Sequence, residues 1–161
     1  MNRLDVQGLK TYFFLDRGIL KAVDGVSFTV GDQETIGIIG ESGCGKSMTA
    51  QSLLRLVARP GEIVKGRALL RRKDGTMIDL LALAPNSSEL RALRGNEISI
   101  VFQEPMTSFS PVHTIGFQIG QMYKLHTQLK AAEIRERVIA LLQRVGISNP
   151  EQRYDEYPHQ L

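Results

Sequence analysis

A glycine-rich segment of eight residues, Gly40–Ser47, limits the folds open to this chain more than any other part of its sequence. It reads Gly-Glu-Ser-Gly-Cys-Gly-Lys-Ser and matches the G-x-x-x-x-G-K-[ST] pattern of phosphate-binding loops. In that pattern glycines let the main chain approach phosphate oxygens closely, the lysine reaches the β- and γ-phosphates, and the hydroxyl residue holds Mg²⁺. We therefore expect Lys46 to act on the phosphates and Ser47 to bind the metal.

The residues on both sides of this loop predict the setting that it needs. Glu34–Ile39 is a short apolar run typical of a buried parallel strand. Residues 48–57 have a helical pattern that Pro60-Gly61 ends. A strand, a glycine loop and a helix in this order bring a bound anion to the positive end of a helix. The alternative is a glycine-rich turn in an α/β domain that binds no ligand. The predicted nucleotide contacts are Gly40, Glu41, Ser42, Gly43, Cys44, Gly45, Lys46, Ser47 and Met48.

Composition narrows the class of protein. The 161 residues are 42% hydrophobic and 23% charged, which is ordinary for a globular domain with a core. No apolar run approaches the roughly 18 residues of a membrane-spanning helix, and the N-terminus does not resemble a signal peptide. Cys44 is the single cysteine, so no internal disulfide can form. The basic stretch Lys65–Lys73 suggests a nucleic-acid or membrane patch, but no aromatic residues interleave, and we favour a solvated strand face.

Apolar periodicity and turn residues predict further elements. Strands are expected at residues 3–14, 22–30 and 63–72, and a second core strand at Ile98–Phe102. Asn86–Glu89 can cap a short helix that Gly95 ends. The pattern turns helical from Val112 onward, and residues 132–145 carry one apolar stripe made of Ile134, Val138, Leu141, Leu142 and Val145.

Two further segments carry a family resemblance. Residues 101–108 read Val-Phe-Gln-Glu-Pro-Met-Thr-Ser, and the chain closes with Tyr157-Pro158-His159-Gln160-Leu161. With the phosphate loop, and in this order, they resemble the N-terminal part of an ABC transporter ATPase of the peptide and nickel importer branch. The resemblance implies an α/β fold, the P-loop NTPase (ABC ATPase) core, with an N-terminal antiparallel β part and a helical subdomain, and with the C-terminal part of the core missing. Residues 1–102 would form the nucleotide-binding core portion, and residues 103–161 the Q-loop and helical subdomain, ending just before the signature motif.

The same resemblance implies roles for two residues outside the loop. Gln103 corresponds to the Q-loop glutamine, which reaches Mg²⁺ and the attacking water, so it becomes a catalytic and metal-binding candidate. Its carbonyl oxygen can coordinate a metal without adding charge. Tyr12 stands where the family has an aromatic residue stacked on adenine. A solvent-facing loop glutamine and an ordinary core aromatic are the alternatives.

Partners also follow from the resemblance. The segment 105–118 resembles the part of the helical subdomain that meets a membrane permease, with Met106, Phe109 and Val112 as an apolar contact surface. Family members commonly read Ser-Leu-Asn-Pro where this chain has Ser-Phe-Ser-Pro at 108–111. A second ABC ATPase subunit, identical or homologous, is expected across the nucleotide, and no nucleic acid. The three histidines (His113, His126 and His159) have no metal-like spacing and are interpreted as structural or surface residues.

The resulting expectation is an ATP-binding subunit of an importer for peptides or related solutes, peripheral to the cytoplasmic face of the inner membrane. Its cofactors would be ATP and Mg²⁺. In full-length form it would hydrolyse ATP to drive a permease. Two alternatives remain. One is a nucleotide-binding fragment or remnant without turnover, since the family's signature Ser-Gly-Gly, its metal-binding aspartate and its catalytic glutamate find no match here. The other, less favoured, is an ABC ATPase that acts on nucleic acid.

Overall fold

The β-rich pattern of the first 80 residues produces an antiparallel sheet. A computed structural model describes residues 2–103 and 108–161. In residues 2–103 four strands pair in the order β2-β1-β3-β4. Their bounds are β1 Asn2–Leu15, β2 Gly18–Gly31, β3 Gly61–Arg71 and β4 Met77–Asp79. The strands predicted at 3–14, 22–30 and 63–72 are therefore confirmed, each slightly longer or shifted.

β1 is the central strand of this sheet, so its side chains build the core. It pairs antiparallel with β2 on one side and with β3 on the other. Alternate side chains of a strand point to opposite faces, and Val6 and Leu9, either side of a register shift, are both buried with Val23, Ala68 and Leu70. This sheet provides the rigid surface on which the next helix rests.

The helix after the phosphate loop is α1, Lys46–Leu53. It begins two residues before the predicted start and ends four residues before the predicted end at Val57. Leu54 already leaves the helix, and Arg55 has φ of 55°, a left-handed backbone that cannot continue an α-helix. Leu53 packs into the core cluster of the sheet, so tertiary packing rather than Pro60 sets where this helix stops.

A short helix, α2, spans Ser88–Leu93. Ser87 is its N-cap, and the Ser87 hydroxyl accepts a hydrogen bond from Leu90 N at 3.2 Å. Gly95 follows with φ of 80°, the left-handed conformation that ends helices. The predicted cap and stop are both confirmed, and Leu93 joins the sheet's core.

Two predicted core strands are not strands in this structure. Residues 34–39 and 99–102 are irregular, and residue 98 makes only an isolated bridge to Arg94. Ile39 is 96% exposed and Val101 is 88% exposed. A strand needs neighbouring strands to satisfy its N–H and C=O groups, and no described residue pairs with either segment. Both predictions were wrong for this chain because apolar sequence alone does not supply a partner.

The structure separates into two compact units, residues 1–100 and 101–161. The second unit contains α3 Ile115–His126, α4 Ala131–Arg144, α5 Pro150–Asp155 and a final 3₁₀ turn, Pro158–Gln160. Gly146 has φ of 80°, and the predicted helix over 132–145 is confirmed within one residue. Assigning nucleotide binding to the first unit and partner binding to the second remains a prediction.

The predicted apolar stripe of α4 is only partly buried. Val138 and Leu142 form the core of the second unit with Ile115, and Ile134 packs against them. Leu141 is 36% exposed and Val145 is 65% exposed. Among the described elements α3 and α5 pack beside α4, and together they cover only part of its apolar stripe. In residues 2–103 and 108–161 no helix combines the length and the hydropathy needed to cross a membrane.

Candidate nucleotide-binding site

The phosphate loop adopts a tight turn that its glycines permit. Gly43 and Gly45 have φ of 83° and 95°, values that residues with a side chain rarely adopt. Cys44 N donates to Glu41 O at 3.3 Å and closes the turn. Gly45 is the N-cap of α1, so the loop delivers the chain to a helix N-terminus, where unpaired N–H groups favour an anion.

The ammonium of Lys46 is folded back over this loop. Lys46 Nζ donates to Gly40 O and to Glu41 O, both at 2.6 Å, and lies 3.5 Å from Cys44 Sγ. These partners are exposed backbone carbonyls, which water can satisfy equally well. Phosphate oxygens could therefore replace the two carbonyl oxygens as partners of the ammonium at little energetic cost. The positive charge of Lys46 already lies over the loop.

Ser47 and Met48 differ in their surroundings. Ser47 is exposed at the first turn of α1, where its hydroxyl is accessible to a metal ion. The side chain of Met48 is half-buried and packs against the sheet's core cluster. Only its backbone N–H can serve a ligand, because the thioether is committed to packing.

The loop rests directly on β2. A Cβ built on Gly45 would collide with the carbonyl oxygen of Ala22, and one built on Gly40 would lie 2.5 Å from Cys44 Sγ. Gly45 is required by this close approach to backbone as well as by its positive φ, whereas the atom that Gly40 approaches is the end of a side chain. The cradle is therefore shaped by contact with a strand that lies well before it in sequence, which the motif alone does not predict.

Tyr12 lies on β1, opposite Lys21 of β2. It is half-buried, and the Lys21 ammonium is 5.6 Å from the centre of its ring, within reach of a cation–π attraction. Lys21 immediately precedes Ala22. Tyr12, which is predicted to stack on adenine, and Gly45 of the phosphate loop therefore lie beside consecutive residues of β2. Tyr12 pairs with the strand residue next to the one that Gly45 approaches, although Gly40 lies 28 positions further along the chain.

Asp24 was not singled out by the sequence, yet it organises the surroundings of Tyr12. Tyr12 Oη donates to Asp24 Oδ1 at 2.6 Å, and Lys10 Nζ lies 2.8 Å from the same oxygen. The hydrogen bond from Lys10, followed by that from Tyr12, lowers the pKa of Asp24 to about 2. The Asp24 partner also raises the pKa of Lys10. The one sequence signal was an acid near a turn glycine, Gly25, which is too common to indicate a role.

Gln103 is exposed and belongs to the second unit. Residues 104–107, which include Pro105 and Met106 of the expected permease surface, lie outside the described part of the chain.

The start of the second unit is fixed by a glutamine that sequence reasoning missed. Gln118 Oε1 accepts from Ser110 N at 2.8 Å, and Gln118 Nε2 donates to Ser110 O at 3.0 Å and to His113 O at 2.8 Å. This clamp holds the Ser-Phe-Ser-Pro segment against α3. A groove of about 360 Å³ opens beside it, lined by Ser108, Phe109, Gln118, Ile119 and Met122. Val112 is 73% exposed.

The basic stretch of β3 is largely neutralised. Arg67 pairs with Asp79 at 3.5 Å and Arg72 with Glu97 at 3.0 Å, and Arg71 pairs with Asp32. This ion pairing agrees with a solvated strand face. Across residues 2–103 and 108–161 no group of three or more His, Cys, Asp or Glu side chains could hold a metal ion.

Comparison with known proteins decides the family. The model of the ABC transporter family matches residues 23–161. The chain belongs to the ABC transporter family. The match includes the phosphate loop, Gln103 and the whole second unit, so the predicted family resemblance is confirmed.

The relatives of this ABC transporter chain indicate which branch of the family it resembles. It is 45% identical over 159 residues to a Brucella ovis protein described as a peptide import ATP-binding protein, covering 98% of this chain and 46% of that protein. The oligopeptide transport ATP-binding protein AppD of Bacillus subtilis is also 45% identical, with the same coverage of 98% and 46%. The chain thus spans about half the length of the curated relatives it matches.

Solved structures confirm the fold class. A dimeric ATP-binding cassette in a post-hydrolysis state, bound to ADP and Pi, has a TM-score of 0.78 to this chain at 20% identity, covering 98% of this chain and 62% of that one. A second dimeric structure of the same cassette, described as a bacterial ABC transporter cassette, has a TM-score of 0.76 at 21% identity. At this level of identity the likeness shows the ABC ATPase fold.

Proposed function

We propose that this chain is the nucleotide-binding part of an ABC importer subunit for peptides or related solutes, and that it holds Mg-ATP in the Gly40–Met48 loop. The observation that carries the proposal is the position of Lys46, whose ammonium is held over the loop by two carbonyl oxygens at 2.6 Å. Around it the loop glycines have left-handed backbones and α1 begins. These features fit a polyphosphate with its metal ion.

Each part of the nucleotide has a proposed partner. Lys46 and the loop N–H groups hold the phosphates, and the Ser47 hydroxyl holds Mg²⁺. The carbonyl oxygen of Gln103 would be a further ligand of the metal, as the Q-loop glutamine is in the family. The ring of Tyr12 would stack on adenine. Mg²⁺ would neutralise phosphate charge, as in other phosphoryl-transfer sites.

The proposal of peptide import rests on the printed names of relatives at 45% identity. An exposed apolar surface on α3 supports a protein partner. Phe117 is 48% exposed, Met122 44% and Leu125 71%. We propose that this surface and the adjoining Phe109 groove dock a permease subunit, and that a second ABC ATPase subunit closes over the nucleotide. The subunit would then sit at the cytoplasmic face of the membrane.

Binding of Mg-ATP to the purified protein, measured by calorimetry, tests the nucleotide site. Lys46→Ala is expected to weaken binding about 10-fold or more, because it removes the charged partner of the phosphates. Lys124→Ala is the matched control, since Lys124 is an exposed lysine on α3 remote in sequence from the loop. Equal binding by the wild type and Lys46→Ala would refute the proposed site.

ATP hydrolysis distinguishes an active ATPase from a nucleotide-binding fragment without turnover. Within residues 1–161 no segment matches the family's signature Ser-Gly-Gly or its catalytic glutamate, which favours a chain that holds nucleotide without turning it over by itself. We expect ATP hydrolysis by residues 1–161 near the background rate. Robust turnover that Lys46→Ala abolishes would instead favour a competent ATPase.

A further inference from the structure

Asp24 is the centre of a polar cluster on the β1–β2 hairpin. Its carboxylate accepts a hydrogen bond from Tyr12 Oη at 2.6 Å. Lys10 Nζ lies 2.8 Å from one carboxylate oxygen, and Lys21 Nζ lies 3.6 Å from the other. Each lysine pairs with a different carboxylate oxygen, which restrains the direction of the oxygen that accepts from Tyr12.

The cluster restrains the Tyr12 ring at two places. The hydrogen bond to Asp24 holds the phenol oxygen, and the Lys21 ammonium lies 5.6 Å from the ring centre on one face. A half-exposed tyrosine otherwise rotates about two side-chain bonds, and ordering it costs conformational entropy when a ligand binds. A ring that is already fixed in the free protein avoids that cost.

The same strand connects this cluster to the phosphate loop. Lys21 directly precedes Ala22 and Asp24 lies two residues after it, and the carbonyl oxygen of Ala22 abuts Gly45. The β1–β2 hairpin therefore carries both the Tyr12 ring and the strand position that the loop approaches. A nucleotide can span only a limited range of distances between its base and its phosphates, so the placement of the ring relative to the loop matters for binding both ends at once.

We propose that Asp24 is a positioning residue for the base of the bound nucleotide, acting through the hydroxyl group of Tyr12. This inference rests on the proposed stacking of adenine on Tyr12. Lys10 and Lys21 support it by holding the carboxylate in place. Nothing in the phosphate-loop pattern requires an acid at this position, and the contact arises from the pairing of two strands.

The test compares a ligand that has a base with one that lacks it. Affinities of the purified protein for Mg-ATP and for Mg-tripolyphosphate are measured by calorimetry. Tyr12→Ala is expected to weaken Mg-ATP and leave Mg-tripolyphosphate unchanged. Asp24→Ala and Tyr12→Phe are each expected to weaken Mg-ATP about 3- to 10-fold, the range of one typical hydrogen bond, with no change for Mg-tripolyphosphate. Asp24→Asn keeps an acceptor oxygen and should retain most of the affinity.

A double-mutant cycle isolates the contact. Because Tyr12→Phe and Asp24→Ala remove the same hydrogen bond, the double variant should bind Mg-ATP no more weakly than Asp24→Ala alone. Phe14→Ala is the matched control, since Phe14 is an aromatic residue two positions along the same strand and 44% exposed. It should not change either affinity.

Three outcomes would overturn the inference, and they differ in what else they overturn. If Tyr12→Ala weakens Mg-ATP but Asp24→Ala does not, Asp24 has no positioning role while stacking on Tyr12 stands. If Asp24→Ala weakens both ligands equally, the residue acts through general stability. If Tyr12→Ala leaves Mg-ATP binding unchanged, the stacking itself is wrong and the role of Asp24 is lost with it.

Discussion

Thr11 and Ser52 share a buried hydrogen bond, with 2.7 Å between their hydroxyl oxygens. Both side chains are completely buried, and the Ser52 hydroxyl also donates to Met48 O at 2.7 Å. Thr11 is therefore the donor to Ser52. The bond ties α1, which begins with Lys46, to β1, which carries Tyr12, and so fixes the helix that presents the phosphate loop.

Removing one partner of this bond should cost stability. Ser52→Ala leaves the Thr11 hydroxyl buried without an acceptor, and we expect the free energy of unfolding to fall by about 1–3 kcal/mol. Chemical denaturation measures it. Thr11→Val/Ser52→Ala removes both hydroxyls and should be less destabilised than the sum of the single variants. Ser42→Ala, at an exposed position, serves as the control. Additive losses in the double variant would contradict the shared bond.

A methyl group at Gly45 should damage the phosphate loop more than the same change elsewhere. Gly45 and Gly75 have φ of 95° and 86°, so Ala is strained at both, by roughly 1 kcal/mol. A Cβ at Gly75 meets open space, whereas one at Gly45 collides with Ala22 O. We expect Gly45→Ala to lower both stability and Mg-ATP affinity, and Gly75→Ala to show only the smaller stability loss. Equal effects on denaturation would argue against the contact between the loop and β2.

The helical unit has a comparable pair of glycines on α3. A Cβ at Gly116 would lie 2.5 Å from the Tyr154 ring, while one at Gly120 would lie 3.3 Å from Ile134 Cγ2. Overpacking of this kind typically costs about 1–3 kcal/mol. We expect Gly116→Ala to lower the melting temperature clearly and Gly120→Ala to lower it less. Thermal unfolding followed by circular dichroism measures both melting temperatures. A larger loss for Gly120→Ala than for Gly116→Ala would contradict the packing of α3 on α5.

Asp24 should make stability depend on acid pH. Its pKa is lowered from 3.8 to about 2, mainly by Lys10 and then by Tyr12, and Lys21 also faces it. A carboxyl whose pKa is lower when folded stabilises the protein fully above its unfolded value, and loses that contribution as pH falls through the folded value. We expect the difference in melting temperature between wild type and Asp24→Asn to shrink from pH 4 to pH 2. A constant difference over that range would show that the charge of Asp24 does not contribute.

Cys44 offers a chemical probe of the loop. Its side chain is exposed and lies 3.5 Å from Lys46 Nζ, inside the proposed phosphate site. We expect N-ethylmaleimide to label it and saturating Mg-ATP to slow the labelling, because a bound polyphosphate covers the thiol. Mass spectrometry follows the rate, and Cys44→Ser should show none. Equal rates with and without Mg-ATP would place the nucleotide elsewhere.

Local sequence rules accounted for much of the fold. The Ser87 cap and the helix ends at Gly95 and Gly146 each depend on the conformational preferences of a few adjacent residues. The positions of strands β1 and β2 followed from apolar periodicity. The family followed from short motifs, because phosphate binding demands particular residue types at fixed spacing.

Rules that use only adjacent residues do not predict long-range contacts. Tyr12 and Asp24 are twelve positions apart, and their contact depends on a pairing with several register shifts. The clamp of Gln118 on Ser110 likewise could not be seen, since a glutamine on a helix usually faces solvent.

The sequence by itself determined the phosphate loop, the family and the kind of element at most positions, because these depend on the chemistry of neighbouring residues. Tertiary structure alone decided which apolar segments are strands. The apolar patterns of residues 34–39 and 98–102 predict core strands, yet Ile39 and Val101 are almost fully exposed. The physical reason is that strand hydrogen bonds come from other parts of a fold, so a segment becomes a strand only where a neighbouring strand lies beside it.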